Sequence, residues 1–219
     1  MRAFLKWFIL SFVSFVLRRR YRIKYNGLDK LKPKDLPHPD KGALFLPNHP
    51  AEVDPIILGA ILWKSFHVRP MIVEWITELP IIKNVMNLMR AVKIPDFGKR
   101  SSQKQKEQAD QAFNTVVEGL KERDNFMLYP AGRLKSKQEE RLGGASGCHK
   151  ILQSYSDINI VLVRTRGLWG STFSRGWKKG KYVDFVSLYP TVNKECKYPI
   201  GHPTKIIKPS VDDYKNICS

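Results

Sequence analysis

The chain alternates short, unbroken apolar runs with longer stretches in which apolar residues recur every three or four positions. The first run, Ala43-Leu44-Phe45-Leu46, has the length of a buried strand and is closed by Pro47-Asn48. The apolar segment 56–63 that follows reads as a helix, with Asp54 as its N-cap and Pro55 as its first residue. A second strand is expected over 69–73, then a helix over 79–90 from the spacing of Ile81, Ile82, Val85, Met86 and Met89, then a short strand over 91–94. Residues 101–123 form a long amphipathic pattern, with Ala112, Phe113, Val116, Val117 and Leu120 inward and Lys104, Lys106 and Glu107 in water. Strands over 125–129, 158–163 and 182–188, a helix from the glycine-rich 143–147 through Leu152, and an edge over 203–209 complete the pattern. Upstream, 22–25 alternates in strand fashion into an Asn26-Gly27 turn, and Pro33, Pro37 and Pro39 make a stiff link to the first core strand. Strand then helix, repeated, predicts an α/β fold; the architecture expected is a mixed central sheet flanked by helices.

The first 17 residues break this rhythm. They are apolar or aromatic apart from Arg2, Lys6, Ser11 and Ser14, and they end in Arg18-Arg19-Arg20-Tyr21-Arg22. A spanning helix needs about 20 apolar residues, and a cleaved leader needs small residues where three arginines stand. The pattern therefore predicts an uncleaved helix lying in one leaflet, with Trp7 and the arginines at the headgroups of an anionic, cytoplasm-facing membrane. The alternative is a buried helix packed on the domain. The expected division is a membrane-associating helix with a basic flank over 1–25 and one folded domain over 26–219.

Composition narrows the classes. A 219-residue chain that is 42% hydrophobic can bury a sizeable core, which excludes disorder. The 38 Lys and Arg against 20 Asp and Glu give a net charge of +18, so the partners are anionic: nucleic acid, phosphorylated metabolites or an acidic membrane. Cys148, Cys196 and Cys218 are scattered and odd in number, which argues against a disulfide framework or a zinc site and fits a reducing compartment.

The candidate chemistry begins at His49, just past the first strand. Residues five apart on a regular helix point about 140° away from each other, so His49 and Asp54 meet only if the backbone turns between them, as Pro50 encourages. In that event Asp54 fixes one imidazole nitrogen and leaves the other as an oriented general base. The plain alternative is a loop histidine near a helix cap. Tyr129-Pro130-Ala131-Gly132-Arg133 directly follows the strand over 125–129. A glycine there lets the backbone approach a ligand, and an arginine beside it offers a fork for phosphate. Taken alone it is also an ordinary turn. Both motifs fall at strand carboxyl ends, where ligands collect in open α/β sheets. Gly143 to Gly147 reads as a flexible loop or an anion-binding helix start. Arg164, Arg166 and Trp169 line a surface or simply alternate outward.

His49-x4-Asp54 after one short apolar strand, with Tyr-Pro-x-Gly-Arg about 75 residues later after another, resembles the glycerolipid acyltransferase family that includes lysophosphatidate acyltransferases. Asn48, His49, Asp54, Tyr129, Pro130, Gly132 and Arg133 match that family's Asn-His-x4-Asp and aromatic-Pro-Glu-Gly-Thr/Ser-Arg motifs, and the resemblance runs over residues 42–170. Two departures stand out. Ala131 occupies the family's Glu position, and Arg133 follows Gly132 directly. This compact form is most similar to the acyltransferase domain of the bifunctional 2-acylglycerophosphoethanolamine acyltransferase and acyl-carrier-protein synthetase. The family's second motif corresponds to 94–100, ending at Arg100.

The resemblance implies a glycerol-3-phosphate acyltransferase-like fold and transfer of an acyl group to a lysoglycerophospholipid hydroxyl. The acyl thioester is acyl-CoA or acyl carrier protein, a co-substrate rather than a resident cofactor, and no metal is expected. His49 is then the base, Asp54 its orienter, and Gly132, Arg133 and Arg100 the acceptor site. The expected location is the cytoplasmic face of the inner membrane, with no nucleic acid as partner. Two rivals remain open: a non-enzymatic basic module binding anionic lipid or nucleic acid, and a hydrolase using Ser146 or Cys148 beside His149. The second lacks a nucleophile elbow.

Overall fold

A computed structural model describes Phe15, Arg19, residues 22–175 apart from 29, 79, 98–100, 138, 139, 141, 143–145 and 172, and the strand over 186–190. The helix expected over 1–25 falls almost wholly outside the described residues. So do Arg100, most of the 143–147 loop and the edge over 203–209. Among the described residues, no helix is long and apolar enough to cross a membrane.

The strands are β1 (Tyr25–Asn26), β2 (Ala43–Pro47), β3 (Arg69–Val73), β4 (Val92–Ile94), β5 (Phe126–Met127), β6 (Asn159–Thr165) and β7 (Val186–Pro190). They form one sheet in the order β1-β7-β6-β2-β5-β3-β4. Neighbours run parallel except β6 and β7, which are antiparallel, so the sheet is mixed as expected. The helices are α1 (Asp54–Phe66), α2 (Glu74–Thr77), α3 (Pro80–Leu88), α4 (Gln103–Lys121) and α5 (Gly147–Ser154). The single helix expected over 79–90 is thus preceded by a separate turn of helix directly after β3.

β2 sits near the middle, with Leu44 opposite Ile160 of β6 on one side and Phe126 of β5 on the other. All five of its residues are buried, the signature of a parallel strand covered on both faces. Ala43 and Phe45 pack in one layer with Leu58, Leu62 and Phe66 of α1. Leu44 and Leu46 pack in the other with Val116, Val117 and Leu120 of α4 and Ile151 of α5. This alternation explains why a continuous apolar run was needed.

Local signals set the helix ends. Ser102 and Gln105 close a reciprocal capping box at the start of α4. α1 ends at His67, which adopts the left-handed conformation with φ 49° and donates its N–H to the Trp63 carbonyl. Gly42 admits no side chain: a Cβ would stand 1.9 Å from the Asp124 carbonyl oxygen.

Asparagine side chains close the amino ends of the central strands. Asn125 Oδ1 accepts the Ala43 N–H at 2.8 Å, while its Nδ2 donates to the Phe66 carbonyl at 2.6 Å. Buried Asn159 accepts the His38 N–H at 3.0 Å and donates to the His38, Lys41 and Gly42 carbonyls. Asp124 nearby pairs with Arg69 and Arg90.

Candidate active site

The chemistry gathers at the other end of β2. Asn48 leaves the strand with its side chain paired to the β6 backbone: Nδ2 donates to the Thr165 carbonyl at 2.9 Å, and Oδ1 accepts the Thr165 N–H at 2.6 Å. That double bond fixes where His49 starts. The chain then turns through Pro50 to Val53 and enters α1, anchored by buried Ala51, Ile57, Ala60 and Leu168.

Asp54 is not the N-cap. Val53 holds that position, no side chain caps the helix, and Asp54 is its first residue. The carboxylate is engaged elsewhere, which is why it does not cap. Asp54 Oδ2 lies 3.0 Å from His49 Nδ1 and accepts the Ala51 N–H at 3.2 Å. Asp54 Oδ1 accepts the Tyr129 hydroxyl at 2.6 Å. The residue is fully buried, and all three contacts are donors to a carboxylate. A neutral His49 that donates from Nδ1 to this carboxylate leaves Nε2 as the lone-pair nitrogen, on a side chain that keeps 16% exposure.

Tyr129 reaches Asp54 because Leu128 donates its N–H to the Phe45 carbonyl and aligns the segment after β5 beside β2. Its ring stacks on the His49 imidazole with centroids 4.1 Å apart and planes at 28°. Loss of water around the phenol, then the neighbouring Asp54 carboxylate, holds the Tyr129 pKa well above the ordinary 10.0. The phenol stays protonated and donates.

The segment after Tyr129 straps the histidine backbone. The Gly132 N–H closes a turn onto the Tyr129 carbonyl at 2.9 Å, and Gly132 has φ 62°, a left-handed position that favours glycine. Arg133 is exposed just beyond, and Ala131 is buried. The Lys135 N–H then donates to the His49 carbonyl at 2.8 Å, and Glu140 Oε1 accepts the His49 N–H at 2.9 Å. Burial raises the Glu140 pKa above its ordinary 4.5, partly offset by the His49 N–H it accepts. Lys135 Nζ lies 5.0 Å from the Trp169 ring centroid.

His49, Asp54, Gly132 and Arg133 thus cluster at one sheet end, while Arg100 lies outside the described residues. Sequence reasoning missed the Tyr129 hydroxyl, Glu140 and the pairing of Asn48 with Thr165. Tyr129 left a signal, a polar tip on a strand-end aromatic; Glu140 left none. The hydrolase alternative finds no support. Burial pushes the Cys148 thiol up to about 11, and His149 beside it on α5 is exposed. Among the described residues, no group of His, Cys, Asp and Glu could hold a metal ion.

Residues 22–165 match the family model for acyltransferases. The chain belongs to the acyltransferase family. No curated protein matches this acyltransferase by sequence. In fold it is similar to the 1-acyl-sn-glycerophosphate (LPA) acyltransferase PlsC from Thermotoga maritima, at 14% identity and a TM-score of 0.59, over 86% of this chain and 70% of that one. At that identity the likeness is one of fold. The acyltransferase carries His49 and Asp54 inside the matched region, together with Tyr129, Gly132 and Arg133.

Proposed function

We propose that this acyltransferase moves a fatty acyl group from an acyl thioester, acyl-CoA or acyl carrier protein, to the free hydroxyl of a lysoglycerophospholipid. The observation that carries the reading is the 3.0 Å contact between His49 Nδ1 and buried Asp54, which leaves Nε2 as the basic nitrogen of a partly exposed side chain. Nε2 takes the acceptor's hydroxyl proton as its oxygen attacks the thioester carbonyl. Asp54 holds the tautomer and stabilises the imidazolium that forms. Collapse of the adduct breaks the C–S bond, and the thiolate leaves with the proton from His49. The thioester brings its own activated carbonyl, so one base and good positioning suffice.

Arg133, with the Gly132 turn beside it, receives the acceptor's phosphate, and Arg100 adds to that site. The PlsC neighbour is an LPA acyltransferase, and the Gly132-Arg133 form resembles an enzyme acting on lysophosphatidylethanolamine. Lysophosphatidate and lysophosphatidylethanolamine are therefore the two acceptors to try. The excess of Lys and Arg suits an anionic membrane surface, at the cytoplasmic face of the inner membrane, where such acceptors reside.

The deciding experiment follows transfer from labelled acyl-CoA, and in parallel from acyl carrier protein, to both lysolipids by wild type and His49→Ala. Transfer that drops by about a thousandfold in the variant supports His49 as base. Transfer that survives removes it.

A further inference from the structure

We propose that Tyr129 is a positioning residue for the base, its hydroxyl fixing the plane of Asp54 while its ring carries the imidazole. This rests on the reading of His49 as the base. Asp54 Oδ2 is held twice, by His49 Nδ1 and the Ala51 N–H, but Oδ1 has the Tyr129 hydroxyl as its hydrogen-bond partner, at 2.6 Å. A carboxylate gripped through one oxygen can swing about that oxygen; gripped through both, it is fixed. Asp54 is fully buried, so without the hydroxyl Oδ1 would face a dry interior, and the carboxylate would turn to find another donor.

The ring acts on the second member of the pair. Stacked 4.1 Å from the imidazole, it limits rotation of His49 about its own side-chain bonds. One side chain thus restrains both partners, and it comes from a strand end anchored next to β2 rather than from a mobile loop. A phenylalanine would stack equally well and leave Oδ1 unpaired, so packing alone does not account for the hydroxyl. Glu140 accepts the His49 N–H, and Lys135 reaches the His49 carbonyl through its own main-chain N–H; neither of these two hydrogen bonds involves Oδ1.

Tyr129→Phe tests this by two readouts. In transfer assays kcat falls about tenfold while KM stays within about twofold, because the hydroxyl orients the base and does not touch the acceptor. In proton NMR the hydrogen-bonded Nδ1–H resonance of His49, assigned by its absence in His49→Ala, moves upfield as the bond to Asp54 loosens. If Tyr129→Phe does not fold, 4-fluorophenylalanine at position 129 fills the hydroxyl's space without donating and takes its place. An unchanged kcat, or an Nδ1–H resonance that does not move, overturns the proposal and leaves Tyr129 as packing. If wild type transfers nothing, the catalytic reading fails, and the resonance alone decides the positioning claim.

Discussion

The two ends of the central sheet use buried polar groups in opposite ways. At the amino ends of β2 and β6, Asn125 and Asn159 are consumed by backbone: each bonds strand starts to the segments that cross them. At the carboxyl ends, Asn48 does the same for β6, but His49 and Tyr129 converge on the Asp54 carboxylate, and the second imidazole nitrogen of His49, Nε2, takes no part in that pairing. One end is closed, and the other retains a lone pair. A buried polar network reads as structure when its groups are spent on backbone, and as a site when a reactive side chain in it keeps some exposure.

That contrast can be broken by exchanging losses of activity for losses of stability. The largest effect is expected at the open end. Asp54→Asn keeps the shape but presents an amide where a carboxylate accepted three donors, so the imidazole tautomer is no longer enforced. Transfer should fall about a thousandfold or more, as in other His–Asp pairs, with secondary structure by circular dichroism unchanged. Loss of the fold instead would mean that the pair is structural.

The closed end should give the mirror image. Asn159→Ala strands the His38 N–H and three carbonyls and is expected to cost about 3 kcal/mol, lowering Tm by about 10 °C. Transfer per folded molecule should stay close to wild type. A selective loss of activity with Tm unchanged would sink the division into two ends.

The smallest effect concerns Glu140, which is where the two roles meet. Its folded pKa lies above the ordinary 4.5, so the folded state binds the proton more tightly than the unfolded chain. Its contribution to stability is therefore most favourable below 4.5 and is lost as pH rises through the raised folded value. Glu140→Gln keeps an acceptor for the His49 N–H without the charge. The variant should melt slightly higher than wild type at pH 7, and the gap should close below the ordinary carboxylate range. A gap that widens on acidification would show that the charge, and not its burial, dominates.

Much of this could be read from particular residues. The run 43–46 announced a doubly covered strand because such a strand has no polar face to show. The spacing of Ala112, Val116, Val117 and Leu120 announced α4, and all four are buried. His49-x4-Asp54 was legible as a possible pair. The same letters, however, fit Asp54 as a helix cap, and the structure overturns that expectation: local propensity favours the cap, but three tertiary donors claim the carboxylate.

By itself, then, the sequence determined the alternation of strands and helices, the strand end where the histidine sits, and the family motifs. These are local, carried by periodicity and by residues within a few positions of each other. Only the tertiary structure decided that β5 inserts between β2 and β3, and that insertion brings the Tyr129 hydroxyl to Asp54 across 75 residues. It also decided that Glu140 and Lys135 return to grip the His49 backbone. Contacts between residues so far apart depend on strand order, which many sequences with the same local pattern would satisfy differently.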